Sequence, residues 1–419
     1  MPRDLTRMRR LTLAAVVLGF LVRAAFGVFY WVGKPLTHDE REYLVLAHSI
    51  ADGRGFTYDD RYETGTGQKF GRAPAYPLFL AAIGAVPPGA SGTPDSVPRR
   101  VQIAQSAVGA IGVWVIGLIA GRAFGPRAAV VGAWIAAVYP PLVWICAYAL
   151  SEALFSTLAL ATALLLDLAV DRADRSGTSR AGGALALAAG LAGGAGLLVR
   201  SVMLFFLPLA ALWLARRRRI ALAVMLAVAA AAVVAPWTAR NIRVHGRFVL
   251  VASDGGVTFW TGNHPLARGE GDMAANPQIK RADLEFRAAH PGLRAEQLEP
   301  LYYRDAFGHI ARHPVWWLGL LARKAFYTVV PIGPSYTLHS TKYLTASIVS
   351  YLALLLAAAT GARHLRRSRS RPTAALLLGA SAVLVCLVFF PQERFRIPVI
   401  DPTLIIMAAA LGSRRPDLA

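Results

Sequence analysis

The chain is poor in charged residues, and above all in acidic ones. Only 16% of its 419 residues are Asp, Glu, Lys or Arg, and 24 acidic side chains stand against 45 basic ones. With a hydrophobic fraction of 55%, so low a charge content excludes a soluble domain of this size. The predicted fold is therefore an all-α polytopic membrane protein.

Cysteines and metal-binding patterns are scarce as well. Cys146 and Cys386 both fall inside apolar runs, so we expect small core side chains and no disulfide framework. The sequence shows neither metal-ligand spacing nor a glycine-rich phosphate loop. No soluble basic domain accompanies the net charge of +21, so we expect no nucleic-acid partner. No cofactor is predicted, and the sequence leaves open whether a divalent metal assists.

Apolar runs recur along the chain at the length of a membrane span. About 20 residues cross ~30 Å of hydrocarbon, and we predict about ten spans, within a range of about 8 to 12. The runs are 11–31, 101–121, 128–147, 152–170, 182–199, 201–215, 220–237, 343–361, 372–390 and 397–413. The first run is expected to be an uncleaved anchor. The stretches 74–88 and 315–333 are predicted to be interfacial or re-entrant helices.

Arginine clusters predict the orientation of these spans. Clusters at the N-terminus, at 216–219 and at 363–371 alternate with the apolar runs as cytoplasmic loops do. Both termini are therefore predicted to be cytoplasmic, in a bacterial plasma membrane, with membrane lipids contacting the basic segments. We predict three parts: an N-terminal module (1–237) with a catalytic first external loop at 32–100, an external loop or cap with an interfacial helix (238–342), and C-terminal membrane helices (343–419).

Two adjacent carboxylates stand at the membrane edge in the first external loop. Ionisable groups at such a boundary often belong to a functional site, which makes Asp39 and Glu40 candidates. A helix cap explains the same residues, because Thr37 with Glu40, or Asp39 with Glu42, fits a capping box. The residues by themselves leave both interpretations open.

Motifs along nearly the whole chain resemble the C-type membrane glycosyltransferases. The specific resemblance is to family 39-like enzymes, which include protein O-mannosyltransferases and the aminoarabinose transferase of lipid A. The motifs are Asp39-Glu40 with Tyr43, Gly53-Arg54-Gly55, Arg72-Ala73-Pro74-Ala75-Tyr76-Pro77, Tyr139-Pro140-Pro141, Ser151-Glu152, Leu198-Val199-Arg200-Ser201, Pro236-Trp237-Thr238-Ala239-Arg240-Asn241, Thr261-Gly262-Asn263-His264-Pro265 and Arg394-Phe395-Arg396-Ile397-Pro398.

This resemblance implies transfer of a sugar from a polyprenyl-phosphate donor to a hydroxyl group of a lipid, glycan or protein on the external face, with inversion. Attack at an anomeric carbon needs a base, for which Asp39 is favoured and Glu40 is an orienting or alternative group. Arginine suits the donor phosphate, and the candidates are Arg394, Arg396, Arg240 and Arg72. Further cavity candidates are Tyr43, Glu152, Asn263 and His264.

Several of these candidate residues also have a purely structural explanation. Arg394 and Arg396 also fit interfacial arginines whose side chains reach toward water. Glu152 fits a helix cap, and the turn at Asn263 and His264 fits a purely structural loop.

A polytopic transporter or lipid-linked sugar flippase is the competing function. Ion-coupled carriers place ionisable residues near the bilayer midplane. The predicted spans hold almost no acidic residue, and Asp167 lies toward a cytoplasmic end. A third possibility, a noncatalytic membrane scaffold, predicts that the acidic pair is dispensable.

Overall fold

The computed structural model describes residues 2–57, 72–90, 92, 94–176, 180–271, 273–333, 340–365 and 371–413. Within these ranges the regular structure is helical, and no strand occurs. Together with the apolar helices described next, this confirms the prediction of an all-α polytopic membrane protein.

Ten apolar helices in the described ranges correspond to the ten predicted spans. Six are long and apolar enough to cross a membrane, judged by length and composition. They are α1 (Pro2–Ala25, continued by a π-helical turn at Phe26–Tyr30), α4 (Arg99–Phe124), α7 (Glu152–Ser176), α8 (Arg180–Val199), α10 (Ile220–His245) and α15 (Thr341–Leu365). Four are shorter, namely α5 (Pro126–Val138), α9 (Met203–Arg216), α16 (Thr373–Val388) and α18 (Ile400–Ala409).

One predicted span is divided in two. The run 128–147 was expected to form a single helix, but α5 ends at Val138 and a short helix, α6 (Pro140–Trp144), follows Tyr139. Proline has no backbone N–H and its ring clashes with the preceding turn, so Pro140 and Pro141 favour a new helix start at this point. The prediction of one continuous span was wrong here.

Glycines allow two of the long helices to pack closely. A Cβ atom built on Gly190 of α8 would lie 2.5 Å from the carbonyl oxygen of Leu226 in α10. One built on Gly194 would lie 2.8 Å from the carbonyl oxygen of Ala230. Small residues let membrane helices approach to backbone contact, which is a principal source of their attraction in lipid.

The remaining helices lie outside the apolar set. The predicted first external loop contains α2 (His38–Ala51) and α3 (Ala75–Ala82), and α3 is too short to span a bilayer. The segment after α10 contains α11 (Gly255–Asn263), α12 (Pro277–Ala288), α13 (Ala295–Arg312) and α14 (Pro314–Val329), which share a small apolar core around Trp260, Tyr302 and Leu320. A four-residue helix, α17 (Glu393–Arg396), connects α16 to α18.

Basic loops and the candidate site lie at opposite ends of the membrane helices. At one end, Arg122 pairs with Asp171 at 2.7 Å and Arg219 pairs with Asp174 at 2.8 Å. These arginines belong to the predicted cytoplasmic loops. Residues 366–370 of the predicted cluster 363–371 lie outside the described residues. The loops at the other end bring together the residues considered next.

Candidate active site

The N-terminus of α2 fixes Glu40 in a structural position. Thr37 is the N-cap and forms a capping box, in which its side chain accepts from the Glu40 amide. In return, Glu40 Oε2 accepts from the Thr37 amide and hydroxyl, each at 2.8 Å. Its other oxygen, Oε1, accepts from the Ala149 amide at 2.9 Å. Glu40 is 1% exposed, and this burial raises its pKa. Its hydrogen bonds cap α2 and connect that helix to the loop before α7.

Asp39, one residue earlier, is held between two arginines. Arg72 Nη2 lies 2.5 Å from Asp39 Oδ1, and Arg394 Nη1 lies 2.6 Å from Asp39 Oδ2. Arg72 precedes α3 and Arg394 belongs to α17, so two segments far apart in the sequence meet at this carboxylate. The side chain of Asp39 keeps 23% of its surface exposed.

These contacts belong to a chain of alternating charges. Arg72 also binds Glu42, with its Nε atom 2.7 Å from Glu42 Oε2. Arg394 also binds Glu152, whose Oε1 atom is 2.7 Å from Arg200 Nη1. We call this group the ionic network, and in order it consists of Glu42, Arg72, Asp39, Arg394, Glu152 and Arg200.

The ionic network determines the protonation of Asp39. Burial by itself raises the pKa of a carboxyl group, but the guanidinium groups of Arg72 and Arg394 outweigh it and hold the pKa of Asp39 well below its usual range. Asp39 is therefore an anion at neutral pH, with both oxygens engaged by cations.

Tyr43 borders the ionic network on the same helix as Asp39. The guanidinium carbon of Arg72 lies 5.0 Å from the centre of the Tyr43 ring, within the range of a cation–π contact. The Tyr43 hydroxyl donates to Ser151 Oγ at 3.4 Å, next to Glu152. Tyr43 thus connects α2 to the start of α7 and restricts the position of Arg72.

Arg396, the second arginine of α17, belongs to a different cluster. Its Nε atom lies 3.0 Å from Asp401 Oδ1, and its guanidinium carbon lies 3.6 Å from the centre of the Tyr351 ring. Asp401 is 0% exposed and also accepts from the Tyr139 hydroxyl at 2.9 Å. Arg396 is therefore engaged between α15 and α18, whereas Arg394 is engaged by Asp39 and Glu152.

The other candidates have mainly structural contacts. Arg240 donates to the Phe56 carbonyl at 3.3 Å and stacks near Trp237, with 4.8 Å from its guanidinium carbon to the ring centre. Asn263 donates to the Val388 carbonyl at 2.9 Å. His264 is half-buried, with its ring centre 4.3 Å from that of Trp260, and burial lowers its pKa.

Sequence reasoning missed several charged residues at or near the site. Glu42 lies one helical turn after Asp39 on the same face of α2, and Arg200 lies in the motif Leu198-Val199-Arg200-Ser201. Asp254, at the N-cap of α11, is partly buried, which raises its pKa, and Arg72 and Arg200 are among the charges acting on it. Burial likewise raises the pKa of Glu299 to about 7. The helical spacing could have indicated Glu42, but the separation in sequence concealed Asp254 and Glu299.

The arrangement of these arginines suits an anionic ligand. Within the described ranges, no group of three or more His, Cys, Asp or Glu side chains is placed to hold a metal. Arginine binds phosphate through a planar fork of donors, and Arg72, Arg200 and Arg394 converge here. A carboxylate between guanidinium groups provides both a base and the means to stabilise a developing negative charge.

The chain matches one family model over part of its length and is similar in fold to solved membrane proteins. Residues 95–239 match a family model described as dolichyl-phosphate-mannose-protein mannosyltransferase. The archaeal oligosaccharyltransferase AglB from Archaeoglobus fulgidus, in complex with an inhibitory peptide and a dolichol-phosphate, aligns with a TM-score of 0.58 and 18% identity over 96% of this chain and 50% of that one. An oligosaccharyltransferase from Archaeoglobus fulgidus tethered to an acceptor peptide aligns with a TM-score of 0.58 and 18% identity over 96% of this chain and 49% of that one.

A further solved structure is ArnT from Cupriavidus metallidurans bound to undecaprenyl phosphate, with a TM-score of 0.43 and 15% identity over 97% of this chain and 78% of that one. No curated protein sequence matches the chain. The chain spans about half the length of the oligosaccharyltransferase it resembles. The fold shared with that enzyme and the family match over residues 95–239 together confirm the predicted resemblance to the C-type membrane glycosyltransferases.

Proposed function

We propose that this protein transfers a sugar from a polyprenyl-phosphate donor to a hydroxyl group of a lipid, glycan or protein, at the external face of a bacterial plasma membrane. The observation that carries the proposal is Asp39, an ionised carboxylate held by Arg72 and Arg394 at one end of the membrane helices. A site at the end of the bundle is accessible to a donor whose prenyl chain remains in the bilayer.

Asp39 is the proposed general base, in a single displacement that inverts the anomeric carbon. The acceptor oxygen forms a bond to that carbon as its proton passes to Asp39. The bond between the anomeric carbon and the phosphate oxygen breaks, and its electron pair leaves with the prenyl phosphate. Glu40 is not proposed as a second base, because it is 1% exposed and caps α2, whereas the side chain of Asp39 keeps 23% of its surface exposed.

Arg394 and Arg72 are the proposed phosphate ligands. The donor phosphate is a diester with one negative charge, and the released prenyl phosphate is a monoester that approaches two charges. An interaction that strengthens as this charge develops stabilises the transition state more than the ground state. Arginine is always charged at neutral pH, so the leaving group needs no proton from the protein.

The comparisons support the class of donor. The family model that matches residues 95–239 is named for a dolichyl-phosphate-linked sugar, and the oligosaccharyltransferase structure with the same fold contains a dolichol-phosphate. Both ligands combine a prenyl chain with a phosphate. Since a shared fold by itself does not establish a shared activity, the proposal relies on the residues of the site.

Asp39→Asn tests the proposal, because it keeps the shape of the side chain and removes the base. The full chain, purified in nanodiscs, is assayed for transfer of a labelled sugar from polyprenyl monophosphate donors. We expect the rate to fall by about 10² to 10⁴, the usual contribution of a general base, with the unfolding temperature little changed. Full activity in this variant would refute the assignment.

Asp52→Asn is the matched control. It makes the same change of charge at the end of the same helix, where Asp52 pairs with the exposed Arg54 at 2.9 Å. We expect this variant to retain wild-type transfer. A similar loss in both variants would indicate a general effect of charge on the loop.

A further inference from the structure

The guanidinium group of Arg394 is divided between two carboxylates. Its Nη1 atom donates to Asp39 Oδ2 at 2.6 Å. Its Nε and Nη2 atoms form the opposite edge and lie 3.0 and 2.9 Å from Glu152 Oε1. Because the group is planar and rigid, each carboxylate occupies its own edge and the two do not compete for the same N–H.

The two carboxylates differ in how firmly they are held. Glu152 is 1% exposed, opens the long helix α7, and has Arg200 as a second cationic partner at 2.7 Å. Asp39 has Arg72 as its second partner, and its side chain keeps 23% of its surface exposed. A ligand that approaches Arg394 therefore reaches the Asp39 edge, while the Glu152 edge is enclosed.

The proposed function requires these same groups for two purposes. A base must offer a free oxygen to the acceptor proton, but each oxygen of Asp39 already accepts a charge-assisted hydrogen bond. A phosphate ligand must offer free N–H donors, but Asp39 and Glu152 occupy both edges of Arg394. Carboxylate and phosphate oxygens bind a guanidinium group in similar geometry, so a phosphate can take the place of a carboxylate.

We propose that the donor phosphate displaces Asp39 from the Nη1 edge of Arg394, while Glu152 keeps hold of the opposite edge. Donor binding then frees the base, and Glu152 acts as the positioning residue that holds Arg394 in place when Asp39 leaves. This inference rests on the proposed function and adds an order of events to it. The acceptor is activated only in a site that already contains a donor.

Charged side chains on neighbouring elements lie around Asp39 and Arg72, and Arg72 can stabilise Asp39 after it separates from Arg394. Arg72 on the segment before α3 remains beside Asp39 after Arg394 is lost, so the freed carboxylate does not become an isolated charge. Glu42 holds Arg72 from the next turn of α2, at 2.7 Å. Asp254, at the start of α11, is a further carboxyl group near Arg72 and Arg200.

Equilibrium binding of farnesyl phosphate to the full chain in detergent tests the proposal without any sugar transfer. If Asp39 competes with the phosphate for Arg394, Asp39→Asn removes the competitor. We expect it to tighten binding by about tenfold or more, which corresponds to about 1.4 kcal/mol per tenfold. Asp39→Ser provides a second neutral variant if the first does not fold. Asp52→Asn, with the same change of charge, should leave the dissociation constant within about twofold of wild type.

Glu152→Gln separates displacement from a simple effect of charge. Removing any negative charge near a bound phosphate favours binding by electrostatics alone, and would do so at either carboxylate. A positioning role for Glu152 predicts weaker binding in Glu152→Gln and a higher donor KM, because Arg394 loses its fixed edge. Equal tightening in Asp39→Asn and Glu152→Gln would overturn the proposal.

The outcome also distinguishes this inference from the proposed function. Loss of transfer in Asp39→Asn with unchanged or weaker farnesyl phosphate binding would reject the displacement and leave Asp39 as the base. Transfer retained in Asp39→Asn would reject both. Absence of farnesyl phosphate binding by every variant and by the wild type would also reject both. Loss of transfer together with tighter binding supports both.

Discussion

Replacing Arg394 and Arg396 one at a time should separate activity from stability, although the two arginines are only two residues apart. Arg396→Ala removes the guanidinium group beside Asp401, which is 0% exposed and has the Tyr139 hydroxyl as its other described partner. Removing one partner of a buried ion pair costs about 3–5 kcal/mol, because the remaining charge is left buried. We expect Arg396→Ala to lower the free energy of unfolding by an amount of this order.

Arg394→Ala should be milder in stability and more severe in activity. Asp39 keeps Arg72 at 2.5 Å and Glu152 keeps Arg200 at 2.7 Å, so neither carboxylate loses its last guanidinium partner. The loss should then be near that of hydrogen bonds to charged groups, about 1.5–3 kcal/mol. Removal of a group that stabilises transition-state charge typically lowers kcat by about 10² to 10³, and we expect a loss in this range.

The assay measures both properties on the same purified proteins. Urea unfolding in detergent, followed by tryptophan fluorescence, gives the stability, and transfer from a polyprenyl monophosphate donor gives kcat and KM. Arg54→Ala serves as the control, since Arg54 is exposed and pairs at the surface with Asp52. Wild-type stability together with loss of transfer in Arg396→Ala would refute this separation, since Arg396 would then act at the donor.

Three further predictions concern pH, packing and topology. Because two guanidinium groups hold the folded pKa of Asp39 below the unfolded value of about 3.9, its stabilising contribution is complete above that pH and disappears as the pH falls through the folded pKa. The difference in unfolding free energy between wild type and Asp39→Asn should therefore be constant from about pH 7 to 5 and shrink below about pH 4; growth on acidification would contradict this. Gly190→Leu should cost at least about 1–3 kcal/mol, because its Cβ would lie 2.5 Å from the Leu226 carbonyl, whereas Gly319→Ala, with nothing within 4 Å, should be neutral in the same unfolding assay. A cysteine replacing Arg54 should react with a membrane-impermeant maleimide from the external side of intact cells, and labelling only after lysis would reverse the proposed orientation.

The membrane helices could be predicted from the sequence because a helix in lipid requires a long run of apolar residues. Each of the ten apolar runs contains a helix, since a backbone in hydrocarbon must satisfy its own hydrogen bonds. Two successive prolines after Tyr139 mark the break in the sequence, but hydropathy measures only polarity and gives no weight to the backbone N–H that proline lacks.

The roles of individual charged residues could be predicted only in part. The capping box at Thr37 and Glu40 was one of two open interpretations, and the structure contains it. Capping and catalysis are compatible for the acidic pair, because adjacent helical residues face different directions, so Glu40 can cap while Asp39 faces the arginines. The partners of Asp39 could not be deduced, because Arg394 follows it by more than three hundred residues and only tertiary packing brings them together.

The short helix α17 makes the length of its connection critical. Residues two positions apart in a helix are separated by about 200° around its axis, so the side chains of Arg394 and Arg396 extend from nearly opposite sides of α17. Inserting or deleting a single residue between Phe389 and Glu393 would displace both side chains at once, and would disturb both the proposed base Asp39 and a buried ion pair. Among homologues we therefore expect this connection to keep its length even where its sequence changes, while the loop between α12 and α13 gains and loses residues freely.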